Sequence, residues 1–265
     1  MLYVAVRAAR RAGDLLARLY DDRAGLTIEE KQDRDFVTEA DRKAESVIIY
    51  EILKHYPDHG IVAEESGVRN PDAEIVWHID PLDGTTNFIH GYPHFAVSIA
   101  AWKNGKPLIA VVHDPLRNET FEAKNGDGAF LNRRRLRVTP LIHIRDAVFA
   151  SGLPPYRREQ GAIFRKRLDV CIRETSGFRR GGSAALDLAY VAAGRLDAYW
   201  EAGLCSWDIA AGILLVQEAG GMATGLDGAP LDLKKGDVLV ANPKLHDQFR
   251  YILSSVKLED KDVKD

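Results

Sequence analysis

Between residues 60 and 126 the chain carries five short β-rich runs: "GIVAEE", "EIVWHID", "HFAVSIAAWKNG", "PLIAVVHD" and "TFEAKNG". Two of them end in Asn-Gly, at 104–105 and 125–126. Asn-Gly is a strong hairpin signal because both residues tolerate positive φ. The spacing predicts a multistranded antiparallel sheet, and such a sheet folds only if another layer covers its apolar face.

Helical patterns flank that stretch. Leu2, Ala5, Ala8, Ala9, Ala12, Leu15, Leu16 and Leu19 recur at helical spacing, which predicts a helix over about 2–21. A second helix starts near Thr38 and ends by Pro57, where proline blocks continuation. "LTIEEK" is a candidate strand. After about Pro140 the pattern changes. "AVFASG", "LDAYWE" and "VLVAN" read as strands, and 158–174, 183–194, 207–219 and 243–256 as helices. That alternation predicts helices packed on a sheet. The chain of 265 residues is long enough for one large domain or two small ones sharing a core. Two halves are expected: an α+β half over 1–140 and an α/β half over 141–265. The closing "KLEDKDVKD" is charged and expected to fray.

Several classes of function are excluded. A net charge of −3 argues against a polyanionic partner, and no direct contact with nucleic acid is expected. Residues 133–180 hold 13 Lys/Arg against 4 Asp/Glu, a net +9. A scattered run of this kind reads first as a solvated face, and second as a surface for an anionic ligand or partner. Cys171 and Cys205 have no zinc or disulfide spacing. Arg7, Arg10 and Arg11 interrupt the first apolar stretch, so it reads as an amphipathic helix and not as a signal peptide. "IAAGILLV" is too short to span a bilayer. A soluble, reduced, cytoplasmic protein is expected.

The chemistry concentrates in "IDPLDGTTNF". Asp80 is expected at the end of a strand, with Pro81 stopping further pairing. The turn can bring the Asp80 and Asp83 carboxylates to one side with the Leu82 carbonyl between them. Three hard oxygens in so short a span suit Mg²⁺. Gly84 allows a close backbone turn, and Thr85 and Thr86 begin a short helix whose free N–H groups can face an anion. Asp-Pro and Asp-Gly are also common turn dipeptides, so the motif alone does not decide. Other acids add to it. Glu64 and Glu65 end the run "IVAEESG". Thr38 and Asp41 fit a capping box, and Asp41 can both cap the helix and hold a water. Asp208 opens an apolar helix, where an N-cap is its default role.

Together these segments resemble the inositol monophosphatase family. "IDPLDGTTNFIH" and "WDIAAGILLVQEAGG" look like its two signatures, and "DFVTEAD", "IVAEESG" and "GSAALDLAYVAAGRLD" match in order and spacing. The resemblance covers nearly the whole chain and is nearest to the bacterial SuhB-type branch. It implies an α/β, layered αβαβα sandwich, usually a homodimer, acting as a phosphate-monoester hydrolase on an inositol phosphate. It further implies two to three Mg²⁺ ions. Glu64, Asp80 and the Leu82 carbonyl match the ligands of the first, and Asp80, Asp83 and Asp208 those of the second. A third, weaker ion would use Glu64 and waters. Thr85 and Asp41 match the pair that orients the attacking water. Asp83, Gly84, Thr85, Gly182, Ser183, Ala184, Glu201 and Asp208 match positions near the substrate. Cys205 stands where animal members usually carry a histidine. Phosphatases for 3′-phosphoadenosine 5′-phosphate and fructose 1,6-bisphosphate share this machinery and are the alternative activities. "GSAALDL" and Glu201 look like the inositol branch. A SuhB-type resemblance also implies a role in ribosomal RNA transcription antitermination, bound to RNA polymerase factors.

Overall fold

The computed structural model describes residues 1–22, 28–32, 35–153 and 160–256. The charged tail and the start of the helix expected at 158 lie outside the described residues. Helices α1 (Leu2–Asp21) and α2 (Glu39–His55) stand where the sequence puts them, and strands β1 (Ile28–Gln32) and β2 (Asp35–Thr38) form a hairpin between them. The sheet that follows has eight strands: β3 (Gly60–Ala63), β4 (Gly67–Arg69), β5 (Ile75–Asp83), β6 (Ala96–Lys103), β7 (Lys106–Asp114), β8 (Glu119–Lys124), β9 (Gly128–Leu131) and β10 (Arg134–Arg135). Their order is β10-β9-β8-β7-β6-β5-β3-β4. The Asn104-Gly105 turn joins β6 to β7 with both φ positive, at 49° and 73°. The expectation of a wholly antiparallel sheet fails at one place, because β3 and β5 run parallel. Strand β4 folds back outside β3, which leaves β3 beside β5 in the same direction.

A short helix α3 (Thr85–His90) links β5 to β6. The second half builds a five-stranded sheet from β11 (Val148–Ser151), β12 (Gly177–Arg179), β13 (Ala198–Glu201), β14 (Met222–Thr224) and β15 (Val238–Ala241), in the order β12-β11-β13-β15-β14. Its helices are α4 (Gly161–Glu174), α5 (Ala184–Ala192), α6 (Ser206–Glu218) and α7 (Pro243–Ser255). Strands β12 and β14 went unread in the sequence; each has three residues, too short to show alternation.

The layers follow from which faces are apolar. Helices α1 and α2 lay Ala5, Ala8, Ala12, Ala44, Ile48 and Ile52 on one face of the eight-stranded sheet. Helices α5 and α6 fill the space between the two sheets. That middle position explains the "IAAGILLV" run: a helix covered on all sides needs no polar face. Gly212 permits the contact, since a Cβ there would collide with Cβ and Cδ1 of Leu188 on α5. Helices α4 and α7 cover the outer face of the second sheet around Phe149, Trp200 and Phe249. The result is an αβαβα sandwich, and no helix among the described residues is long and apolar enough to cross a membrane.

Candidate active site

Strand β5 does not stop at Pro81. It continues to Asp83 through a register shift, Asp80 pairing with Ser98 and Asp83 with Ala96. Proline removes one ladder hydrogen bond, and a bulge absorbs the loss while redirecting the acids. Asp80 is buried, and its Oδ1 accepts a bond from the Leu82 N–H at 2.9 Å. Gly84 follows with φ of 103°, and a Cβ there would press on the His94 carbonyl at 3.0 Å, so glycine is required twice over.

Asp83 joins the two halves of the molecule. Its Oδ2 accepts from Ser183 Oγ at 2.6 Å and from the Ala185 N–H at 2.7 Å. The carboxylate thereby caps α5, whose own N-cap is Ser183. Asn87 makes a second tie, donating from Nδ2 to the carbonyls of His94 and Gly181. The loop that holds Gly182, Ser183 and Ala184 is thus fastened to the first signature motif.

Asp208 is not the N-cap of α6. That position belongs to Cys205, and Asp208 sits at N3, its Oδ2 accepting from the Cys205 N–H at 2.7 Å. The helix therefore starts one residue before Trp207, earlier than the apolar run alone indicates. Glu64 follows β3, its N–H bonded to the Ile79 carbonyl of β5. The next two N–H groups, of Glu65 and Ser66, are held by the buried Glu45 carboxylate at 2.8 Å each. Sequence reasoning missed Glu45. Its signal was an acid at an inward position of α2, beside Ala44 and Ile48.

The acids feel one another. Burial first, and then the charges of Glu64, Asp83 and Asp208, push the Asp80 carboxyl well above its ordinary range. Asp208 rises for the same reasons, with Asp83 and Glu64 the like charges that add most. Asp83 rises to about 6 through burial, held back by Ser183, the N–H groups of Ala185 and Ala184, and the Arg180 charge. Among the described residues no three acidic, histidine or cysteine side chains are drawn in tightly enough to read as a formed metal-ligand group. Mutual repulsion opposes such closeness, and N–H bonds hold Asp80 to β5, Asp208 to the start of α6 and Asp83 to the start of α5. The donor set nevertheless fits a hard divalent cation, being four carboxylates and a carbonyl with no soft ligand.

Asp41 caps its helix and also meets Thr85. Its Oδ2 accepts from Thr38 N at 2.8 Å and Thr38 Oγ1 at 2.6 Å, closing the capping box. Its Oδ1 accepts from Thr85 Oγ1 at 3.0 Å. Thr85 Oγ1 also lies 3.0 Å from the Leu82 carbonyl, so one hydroxyl proton has two acceptors. Burial raises the Asp41 carboxyl, and the Thr38 and Thr85 bonds oppose the rise. Across the site, Glu201 ends β13 with Oε2 accepting from the Tyr199 hydroxyl at 2.7 Å. Burial lifts Glu201 to about 7. Cys205 is half-buried and forms no disulfide.

Comparison with known proteins places this arrangement. A curated relative, "Nus factor SuhB" of Escherichia coli K12, is 47% identical over 246 residues, covering 92% of each chain. The inositol-1-monophosphatase of Mesorhizobium japonicum is 45% identical over 258 residues, covering 97% of this chain and 96% of its own. The crystal structure of the extragenic suppressor protein suhB from Bartonella henselae superposes with a TM-score of 0.93 at 42% identity, covering 96% of this chain and 98% of the other. Residues 1–257 match the model of the inositol monophosphatase family, and the chain is a phosphatase belonging to that family.

Proposed function

We propose that the chain is a Mg²⁺-dependent phosphate-monoester hydrolase that releases myo-inositol and phosphate from an inositol monophosphate. The observation that carries this reading is the Thr85–Asp41 hydrogen bond beside the acids of β5. Glu64, Asp80 and the Leu82 carbonyl would hold one ion, Asp80, Asp83 and Asp208 a second, and Glu64 with waters a weaker third. Bound there, Mg²⁺ supplies neutralising charge for the phosphoryl oxygens and the leaving oxygen. The protein's own part is to aim a water. Thr85 donates its proton toward Asp41 Oδ1, and its lone pairs then accept from a water facing the phosphorus. As that water attacks in line, its proton passes to Thr85 Oγ1 and the Thr85 proton to Asp41. Burial makes Asp41 a better base than an exposed aspartate. Gly182, Ser183, Ala184 and Glu201 surround the alcohol, and Gly84 and the N–H groups that open α3 face the phosphate.

The test is initial rates with Mg²⁺ on a panel of phosphate monoesters, with EDTA as the control. Inositol 1-phosphate should give the highest kcat/KM. If 3′-phosphoadenosine 5′-phosphate or fructose 1,6-bisphosphate is preferred, the inositol assignment is wrong while the hydrolase survives. We further infer a cytoplasmic homodimer. The name of the Escherichia coli relative, a Nus factor, supports a role in transcription, and we propose that this second role is ribosomal RNA antitermination through RNA polymerase factors. Purified RNA polymerase and its antitermination factors should bind the Asp83→Asn variant as well as the parent if that role is non-catalytic.

A further inference from the structure

Asp187 went unnoticed in the sequence, where "SAALDLAYVAA" reads as a wholly apolar helix with one stray acid. In the structure it is 5% exposed. It stands three residues after Ala184 and four after Ser183, and residues at those spacings share a helix face. That face of α5 looks into the site, since Ser183 Oγ meets Asp83 there. Among the described residues the Asp187 carboxylate has no hydrogen-bond partner. Its oxygens are not among the sealed, unpartnered atoms, so they are open to a donor that enters the site.

Its surroundings are polar. A Cβ on Gly181 would lie 2.9 Å from Asp187 Oδ1 and 2.7 Å from His94 Nε2. His94 is itself buried, and its Nε2 has no partner. The bare Gly181 backbone thus lets two unpartnered polar groups approach one point. Glu201 is fixed by the Tyr199 hydroxyl and wedged against Gly152, whose Cβ would strike its carboxylate. Glu201 and Asp83 are the two like charges that, after burial, push Asp187 up, and Arg180 is the cation that opposes them. A carboxyl and an imidazole nitrogen that meet at Gly181, with the Glu201 charge felt by the same carboxyl, match a molecule carrying several hydroxyls, which donate and accept at each position.

We propose that Asp187 is a further specificity-determining residue, which with Glu201 binds hydroxyl groups of the leaving alcohol. Tyr199 is the positioning residue that holds Glu201 for this task. The inference rests on the hydrolase reading above and adds a residue to the alcohol side of that site.

The test compares kcat/KM for inositol 1-phosphate with that for p-nitrophenyl phosphate, whose alcohol has no further hydroxyl. Asp187→Ala should lower the ratio of the two about tenfold to a hundredfold, the loss expected for a hydrogen bond to a charged group. Asp187→Asn, which keeps one acceptor oxygen, should recover part of it. Tyr199→Phe should shift the ratio in the same direction, mainly through KM for the inositol ester. Thermal melts check that each variant folds, and loss of an unpartnered buried acid should leave the melting temperature equal or higher. An active parent whose Asp187→Ala variant shows an unchanged ratio overturns the pocket and leaves the hydrolase standing. A parent inactive on both esters overturns the hydrolase and the pocket together.

Discussion

Replacing Asp83 by Asn should abolish turnover and stabilise the metal-free protein. Burial raises the Asp83 carboxyl from 3.8 to about 6. The folded state therefore holds this proton more tightly than the unfolded chain does. Below about pH 4 the group is protonated in both states and contributes nothing. As pH rises from about 4 to 6 the fold loses about 1.4 kcal/mol per unit, and above pH 6 the loss is complete. A shift of about two units makes the ionised group unfavourable by about 3 kcal/mol. Asn mimics the protonated acid, because its oxygen can still accept from Ser183 Oγ and the Ala185 N–H. In EDTA at pH 8 the variant should therefore gain about 3 kcal/mol, or about 6 °C in melting temperature for a chain of this size. At pH 5 the gain should fall to about half. Circular dichroism melts of parent and variant at the two pH values measure this, and assays with Mg²⁺ measure the lost activity. A variant that melts below the parent at pH 8 would refute the reasoning, as would a gain that ignores pH.

Three further outcomes follow from the geometry. Thr85→Ala should lower kcat about a hundredfold while Mg²⁺ affinity stays near that of the parent; Asp41→Asn should resemble it and the double variant should be far from additive, whereas near-normal kcat in Thr85→Ala removes the water-aiming role. LiCl should inhibit more strongly than NaCl at fixed Mg²⁺, since a single charge at the Asp80, Asp83 and Asp208 site cannot replace two; superimposable curves would mean the second site is not built that way. Gly212→Ala should destabilise by about 2 kcal/mol, because its Cβ meets Leu188 on α5 and the two helices must separate; an unchanged melting temperature would show that the middle layer yields.

Much of the fold was legible because its helices carry their own boundaries. Thr38 with Asp41 and Asn242 with Pro243 mark two starts within a few residues of sequence. The Asn104-Gly105 turn marks a hairpin in the same local way. The parallel β3–β5 pair was not legible, because "GIVA" has the same composition whichever neighbour it joins. Strand direction depends on where β4 turns back, and β4 is three residues long. The bulge at Pro81 was hidden for a related reason: proline ends a ladder in general, and only the partner strand β6 shows the ladder resuming at Asp83. In the site, Asp80, Asp83 and Thr85 stood out as a compact motif. Glu45, Asp187 and Tyr199 act from three other elements and have no local spacing to give them away.

The acids of this site come from different elements. Glu64 follows β3, Asp80 and Asp83 belong to β5, and Asp208 lies in α6. Asp80, Asp83 and Asp208 are each held by backbone N–H groups. Those bonds fix direction, yet burial and like charge still raise all three carboxyls. The fold therefore maintains, near neutral pH, a cluster that weakens it. A divalent cation bound only by the folded state reverses that sign. At a hundredfold excess over its dissociation constant it contributes about 2.7 kcal/mol, similar in size to the cost derived for Asp83 alone. Because Asp83 also bonds Ser183 and the start of α5, the charge that draws the cation is the same group that ties the first sheet to the substrate loop. On the proposed reading, cation binding and the placement of Gly182, Ser183 and Ala184 are thus coupled through one carboxylate. Neutralising Asp83 is for that reason expected to separate stability from activity, whereas neutralising an exposed acid such as Asp127 should alter neither.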